Sequence, residues 1–310
     1  MKTSIITSTV TRKTTMLRML DCLARQTQLP DEIIIIEAGE GTWGPEDFPE
    51  ILRTRYQVHY APKESLSASR DRGRKLATGD VLFFLDDDLI LPDAYIATAT
   101  EYLRDHPQIM GVGGRYVDES ITGRRTWTLA IGRVLGIYGD GSRNRILPSG
   151  WIDYVRGDAA TQITSAEWLF GCNSAIRRSA FDRAHMETQM AAWSFLEDAF
   201  FGTSLTAAYG DCLRLLPAME VIHAPMASSG RLSPITLRMR ILYRYIFWRE
   251  RLRGQRPVGF WLGMLANLLL MLRLECKFWV VPECLRAYLF CVREPQMDWE
   301  KANGFVFAKH

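Results

Sequence analysis

The chain has 310 residues, of which 47% are hydrophobic and 24% charged, the composition of an ordinary globular protein able to bury one large core or two smaller ones. Its six cysteines show no CxxC pair and no zinc spacing, which argues against a disulfide framework and predicts reduced thiols. The opening stretch MKTSIITSTV lacks the apolar core of a signal peptide, so we expect the body of the protein to stay in the cytoplasm.

The net charge is only +3, but it is unevenly distributed. Residues 231–256 contain eight arginines and one acid, a net charge of +7, which leaves −4 on the other 284 residues. Nucleic acid and an anionic membrane surface are both possible partners of such a segment. The arginines alternate with Leu, Tyr, Ile, Phe and Trp, a pattern that a membrane interface requires and a duplex does not. We therefore expect a membrane surface and no nucleic acid.

Strand-like and helix-like patterns alternate through the first 110 residues. In chain order they predict a strand at 4–8, a helix at 14–27, a strand at 32–36, an edge strand at 58–60, a helix at 67–78, a strand at 81–85 and a helix from Pro92 or Asp93 to 104. Two of the strands are apolar on both faces, which predicts an α/β fold with a parallel sheet covered by helices on both sides. Ligands of such sheets bind outside the carboxyl ends of the strands.

The middle of the chain is less regular. From residue 118 to about 164, glycines, prolines, arginines and tryptophans break the pattern, and we expect an irregular segment with a binding role. Order returns at 167–178, followed by a helix at 198–209 and a strand at 213–223.

The C-terminal part has a different character. Residues 236–252 carry arginines in two stripes at helical spacing, and the uncharged stretch 258–272 would form a helix of roughly 22 Å. A bilayer core is about 30 Å thick, so we expect this helix to lie in the interface while the arginines reach the headgroups. The alternative is an ordinary helical subdomain. The predicted domains are 1–232 and a basic, apolar helical extension, 233–310.

The stretch VLFFLDDDLILPDAY places three consecutive carboxylates directly after a buried strand. Mg²⁺ or Mn²⁺ takes one or two protein carboxylates and fills its other positions with water and substrate phosphates. A cation at this sheet edge can clamp a nucleotide diphosphate and neutralise its charge as it departs. The alternative is a solvated acidic turn before a helix.

Five segments in order resemble the family 2 glycosyltransferases of the GT-A fold, over nearly all of residues 1–232. They are SIITSTVTRKTTMLRMLDCLARQTQLPDEIIII, SLSASRDRGRKLATGDVLFFLDDD, WLFGCNSAIRRSAF, FLEDAFFGTSLTAAYG and MEVIHAPMASSGR. The resemblance implies a Rossmann-like, mostly parallel sheet with helices on both faces, followed here by the helical, membrane-associated extension. It also implies inverting transfer of a sugar from a nucleotide-diphosphate donor.

The resemblance assigns roles to the acids. Asp88 would hold the metal, Asp86 would face the donor ribose or a metal-bound water, and Asp87 would belong to the donor site. Asp198, with Glu197 beside it, matches the general base that takes the proton of the acceptor hydroxyl. Bulky neighbours would raise the pKa of Asp198 toward useful basicity. The alternative for Asp198 is an ordinary acid at a helix N-terminus.

Five further residues are candidates from the same resemblance. His223 would approach the metal or the diphosphate, although a lone histidine there is as often structural. Arg70, in the first turns of a helix, and Arg231 would bind donor phosphate, unless Arg70 is a surface residue paired with the neighbouring aspartate. Trp168 and Trp193 would stack on an acceptor sugar, or belong to the core.

One departure from the family concerns the donor base. The second strand of the family usually ends in Asp-Asp-Gly-Ser, whereas this chain has Glu37, Ala38, Gly39 and Glu40. Glu37 remains a candidate contact of the nucleoside. Because the second acid of the family often reads the donor's base, its absence argues against a uridine donor and leaves deoxythymidine, guanosine or another nucleotide-diphosphate sugar open.

The sequence therefore predicts a metal-dependent inverting glycosyltransferase on the inner face of the cell membrane. It would transfer a sugar from a nucleotide-diphosphate sugar to a glycan or lipid-linked acceptor in cell-surface polysaccharide synthesis. One alternative is an inactive sugar-nucleotide-binding module, favoured by the altered Glu37–Ala38 pair. The other is an aspartyl phosphotransferase, disfavoured because Ile90 stands where that chemistry expects a hydroxyl residue.

Overall fold

A computed structural model describes residues 1–118, 132–134, 136–223, 233–275 and 279–308. The chain divides into two compact units. We call residues Met1–Thr122 with Val155–Ala227 the sheet unit, and residues Gly123–Tyr154 with Ser228–His310 the helical unit. Residues 123–154 thus group with the C-terminal helices, although the sequence placed them in the first domain. The expected domain boundary at 232/233 stays a prediction.

The regular elements have the following bounds. The strands are β1 (Thr3–Thr9), β2 (Glu32–Glu37), β3 (Tyr56–Tyr60), β4 (Val81–Asp86), β5 (Leu89–Ile90), β6 (Gly111–Gly113), β7 (Tyr116–Asp118), β8 (Arg145–Ile146), β9 (Ile152–Asp153), β10 (Thr164–Ala166), β11 (Asn173–Arg177), β12 (Leu213–Leu215) and β13 (Val221–His223). The helices are α1 (Lys13–Ala24), α2 (Leu66–Leu76), α3 (Tyr95–Asp105), α4 (Glu197–Tyr209), α5 (Pro234–Arg251), α6 (Pro257–Glu275), α7 (Val280–Arg293) and α8 (Trp299–Phe307).

An eight-stranded sheet forms the centre of the sheet unit, in the order β10-β12-β6-β11-β4-β1-β2-β3. Strands β3, β2, β1 and β4 run parallel, and β11 then pairs antiparallel with β4. Isoleucines fill both faces of β2, and every one of its residues is buried between two apolar clusters. The predicted mostly parallel α/β sheet is confirmed.

The register of this sheet collects polar residues at one edge. Ser8 of β1 lies opposite Asp86 of β4, and Thr9 lies opposite Glu37 of β2. Since these three strands are parallel, their carboxyl ends meet there. A second, three-stranded sheet pairs β13 with β5, which sets His223 opposite Leu89.

The strand predicted at 213–223 is two strands in two different sheets. β12 belongs to the large sheet and β13 to the small one. A 3₁₀ turn at Pro217–Met219 separates them. Proline has no N–H to donate to a ladder, so the strand breaks there. The other predicted boundaries in the sheet unit lie within a few residues of the observed ones.

The arginines of α5 are not displayed as expected. Arg238 is buried and pairs with Glu283 of α7 through Nε at 2.6 Å. Arg244 is buried, donates to the carbonyl oxygen of Gly150 at 2.8 Å, and lies 4.3 Å from the ring of Trp151. These side chains hold the helical unit together, so the prediction that the α5 stripes reach lipid headgroups is wrong for Arg238 and Arg244. Within the described ranges, no helix has the length and apolar character needed to cross a bilayer.

Candidate active site

Two carboxylates and an imidazole meet at the carboxyl edge of the sheet. Asp86, Asp88 and His223 each offer a ligand atom, and these atoms all lie within 4.8 Å of one another. Nε2 of His223 is 3.2 Å from Oδ1 of Asp88. Burial acts to raise the pKa of Asp88, but the neighbouring His223 and the guanidinium of Arg12 hold it below its ordinary value. Two oxygen ligands and one nitrogen ligand fit a divalent cation.

Arg12, a residue that sequence reasoning missed, lies beside this cluster. Its guanidinium contacts Asp87 at 2.7 Å and Asp88 at 3.1 Å. Asp87 is fully buried and also accepts a hydrogen bond from Oγ1 of Thr9 at 2.5 Å. Burial raises the pKa of Asp87 to about 7, although Arg12 and Thr9 oppose the shift. The sequence did contain a signal for Arg12. This residue closely follows β1, and the end of β1 lies beside the end of β4, where the three aspartates begin.

Glu37 positions the turn that carries Arg12. Its carboxylate is fully buried and accepts hydrogen bonds from the backbone N–H groups of Thr11 and Gly39 and from Nε1 of Trp43, at 2.8–3.0 Å. Thr11 has a φ of 55°, which is unusual for a β-branched residue. Glu37 therefore stabilises a strained backbone next to Arg12, and its contact with a nucleoside stays a prediction.

Arg70 joins the acidic cluster to a second pair of acids. It is buried on α2, with one guanidinium nitrogen 2.7 Å from Asp86 and another in contact with Glu197. Burial acts to lower the pKa of Arg70, but the two carboxylates raise it above its ordinary value. The neighbouring Asp71 pairs instead with Arg74 and Lys75, so Arg70 is not the surface residue considered as an alternative.

Glu197 and Asp198 open helix α4 and lie on the other side of Arg70. Burial raises the pKa of Glu197 to about 7 against the charge of Arg70. It also raises the pKa of Asp198 to about 6, although N–H groups of Ala199 and Gly171 donate to this carboxylate. A methyl group on Gly171 would overlap Glu197 and Arg70, so only glycine permits this approach. Glu197 is committed to an ion pair, whereas Asp198 is partly exposed.

The loop before α4 is strained and fixed to α2. Ala192, Ser194 and Leu196 have φ values of 48°, 52° and 69°. The carbonyl oxygen of Ala192 accepts from the N–H of Leu66 at 2.8 Å, and Oγ of Ser194 accepts from the N–H of Ser67 at 3.2 Å. These contacts tie the start of α4, with its two acids, to the helix that carries Arg70. Strained backbone of this kind concentrates at functional sites.

A small pocket adjoins the two acids. Arg70, Glu197 and Asp198 form its polar side, and the side chains of Leu169, Ile176 and Leu205 are among its apolar walls. An apolar wall removes water from the carboxylates, which is the physical cause of their raised pKa values.

The aromatic acceptor candidates are placed differently. Trp168 is fully buried and packs edge-on against Phe170, so the structure supports its alternative position in the core rather than stacking on a sugar. Trp193 is 38% exposed, and its role as an acceptor contact stays a prediction. Arg231 lies outside the described residues.

Residues 4–184, more than half of the chain, match the profile of glycosyl transferase family 2. The chain belongs to this family. The enzyme class expected from the sequence, a glycosyltransferase, is thereby confirmed at the level of the family. The aspartyl phosphotransferase considered as an alternative is not supported. No curated protein sequence matches the chain.

Solved glycosyltransferase structures share the fold of this family member. GalNAc-T7 with UDP, GalNAc and Mn²⁺ has a TM-score of 0.59 at 18% identity, over 81% of this chain but only 48% of its own. Residues 1–349 of S. aureus TarS have a TM-score of 0.56 at 13% identity, over 95% of this chain and 82% of that one. The mannosyltransferase PcManGT from Pyrobaculum calidifontis, in complex with GDP-Man and Mn²⁺, has a TM-score of 0.53 at 14% identity, over 98% of this chain and 84% of that one. The GT-A fold is confirmed.

Proposed function

We propose that the protein is a metal-dependent inverting glycosyltransferase that uses a nucleotide-diphosphate sugar. The observation that carries this proposal is the position of Arg70 between two acidic groups. On one side lies the Asp86–Asp88–His223 cluster, and on the other lie Glu197 and Asp198. Inverting transfer needs this separation, because the leaving diphosphate and the attacking hydroxyl occupy opposite faces of the sugar carbon.

Asp86, Asp88 and His223 would hold a divalent cation, and we favour Mn²⁺ over Mg²⁺ because an imidazole nitrogen is a poor ligand for the harder ion. The GalNAc-T7 and PcManGT structures both contain Mn²⁺. A bound cation supplies neutralising charge to a departing nucleoside diphosphate. Arg12 lies close enough to the cluster to add positive charge on the same side.

Asp198 is the general base of the proposed reaction. It would accept the proton of the acceptor hydroxyl while the hydroxyl oxygen forms a bond to the anomeric carbon. The bond from that carbon to the diphosphate oxygen breaks, and the electron pair leaves with the nucleoside diphosphate. A pKa of about 6 keeps most of Asp198 ionised at neutral pH while leaving it more basic than an ordinary aspartate. Glu197 holds Arg70 and thereby the geometry of the pair.

The acceptor we propose is a glycan or a lipid-linked intermediate of cell-surface polysaccharide synthesis, with Trp193 at its binding site. The protein would act as a peripheral protein on the inner face of the cell membrane. Two features support this location: the described cysteines Cys22, Cys172, Cys212, Cys284 and Cys291 are free thiols, and the C-terminal helices are rich in arginine.

Calorimetry with UDP, dTDP and GDP tests the donor site. We expect one of the three to bind in the presence of Mn²⁺ and to lose affinity when EDTA is added. Asp88→Asn should weaken Mn²⁺-dependent binding by at least about 10–100-fold, because the cation loses a charged ligand. Asp93→Asn is the matched control, since Asp93 is an exposed acid close in sequence that is not part of the cluster. Equal binding with and without metal would refute the metal site, and Mn²⁺-dependent binding of a nucleotide sugar without hydrolysis or transfer would favour the inactive module.

A further inference from the structure

Two helices of the helical unit expose rows of large apolar side chains. On α6, Val258, Leu262, Leu265 and Leu269 are 46–71% exposed. On α7, Leu285, Leu289 and Val292 are 50–62% exposed. Both rows have the spacing i, i+4, i+7, so at about 100° per residue each row forms one stripe along its helix. Contiguous exposed apolar surface of this kind marks an interaction site.

The two stripes face the same side of the helix pair. Only residues 276–279 separate the helices, too few to return the chain to the start of α6, so the helices run antiparallel. They touch where Tyr288 donates to the carbonyl oxygen of Met264 at 2.8 Å and approaches the ring of Trp261. At 100° per residue, the centre of each stripe lies roughly 70° from the aromatic residue at this contact, Trp261 on α6 and Tyr288 on α7, and the antiparallel arrangement turns both stripes to one side. We call this surface the α6–α7 face.

Charge identifies the partner of the α6–α7 face. The helical unit has 19 Lys and Arg against eight Asp and Glu, a net charge of +11, so the sheet unit carries −8. Because the helices are antiparallel, Arg253 and Arg256 before α6 lie at the same end as Arg293 at the end of α7. All three are exposed and form no ion pair with an acid in the described part of the chain. Apolar side chains flanked by arginines suit an anionic bilayer surface.

We propose that the α6–α7 face docks this protein on an anionic membrane, with the leucine stripes in the acyl boundary and the arginines at the headgroups. This inference rests on the proposed action at a membrane surface. It assigns the membrane contact to the α6–α7 face and its flanking arginines rather than to the arginines of α5. Trp261 and Tyr288, both partly exposed, lie along the seam between the stripes. Tryptophan and tyrosine favour the depth of the headgroups.

Flotation of the full-length protein with vesicles tests the docking face. The vesicles contain equal parts of phosphatidylcholine and phosphatidylglycerol, or phosphatidylcholine alone. We expect Leu262→Gln combined with Leu289→Gln to reduce partitioning about tenfold or more, because each substitution removes apolar surface from the acyl boundary. Ile51→Gln combined with Ile163→Gln, at equally exposed positions of the sheet unit, is the matched control and should leave partitioning unchanged.

The arginines are tested by Arg253→Gln combined with Arg293→Gln. This variant should lose about 10- to 30-fold in partitioning to the anionic vesicles and very little on phosphatidylcholine alone. A leucine variant that floats like the wild type would overturn the proposal. So would a wild-type dimer in light scattering that the leucine variant abolishes without any vesicle binding, because a second copy would then cover the face. Mn²⁺-dependent nucleotide binding, measured on the same samples, reports separately on the proposed function.

Discussion

Replacing Asp198 with asparagine is expected to slow sugar transfer by about 10²–10⁴-fold while leaving donor binding nearly unchanged. Asparagine can still accept the hydrogen bond from the N–H of Ala199, but it cannot take a proton from the acceptor hydroxyl. Single-turnover kinetics and calorimetry with the nucleoside diphosphate give the two readouts. Glu197→Gln is the comparison, since it should also disturb Arg70. Normal turnover by the asparagine variant would remove Asp198 from the role of base.

The pH dependence of stability also distinguishes Asp198→Asn from the wild type. Burial raises the pKa of Asp198 to about 6, so the folded state binds its proton more tightly than the unfolded chain does. The wild type therefore loses stability as the pH rises from the ordinary aspartate range through about 6. Asparagine lacks this dependence, and we expect it to be as stable as the wild type or more stable at neutral pH. Transfer by the wild type should decline below about pH 6, as Asp198 binds a proton.

Replacing Arg70 with methionine is expected to lower the free energy of unfolding by about 3–5 kcal/mol, and to abolish transfer. The loss is large because Glu197 and Asp86 would be left without the cation that both contact. Urea denaturation measures the change. Arg70→Lys should rescue little, because an ammonium group cannot bridge two carboxylates with the fork of a guanidinium.

Arg72→Met on the same helix is the matched control. Arg72 pairs with Glu64, but its side chain is 50% exposed, so we expect its loss to cost about 0–1 kcal/mol. Arg70→Met combined with Glu197→Gln should cost less than the sum of the two single changes, because the second removes a charge that the first leaves uncompensated. Equal destabilisation by Arg70→Met and Arg72→Met would show that Arg70 contributes no more than a surface pair.

Local patterns predicted much of the fold. The isoleucine run of β2 and the apolar run before Asp86 each predict a buried strand without reference to the rest of the chain. The triplet of aspartates and the Glu197–Asp198 pair were identifiable because each is contiguous in sequence. The position of the triplet at the carboxyl edge follows from the parallel topology, which strand–helix alternation predicts. The position of the Glu197–Asp198 pair does not, because the strand that precedes it, β11, is antiparallel to β4.

Pairings between distant residues were not predictable in the same way. Arg70 and Glu197 are 127 residues apart, and no periodicity connects them. We expected Glu37 to contact the nucleoside of the sugar donor. In the structure its carboxylate accepts hydrogen bonds from the turn after β1 and from the loop after β2. The helical spacing of the α5 arginines predicted a stripe facing the membrane interface. Arg238 is instead paired with a buried acid on α7, which the sequence does not reveal.

Anomalous scattering from a crystal soaked with Mn²⁺ and the preferred nucleoside diphosphate tests the central claim most directly. We expect one strong Mn²⁺ peak between Asp86, Asp88 and His223, with the diphosphate oxygens completing its coordination and Asp198 facing the open side of the sugar site. A diphosphate bound with no Mn²⁺ at these three residues, or Mn²⁺ and nucleotide bound together elsewhere on the protein, would contradict the account.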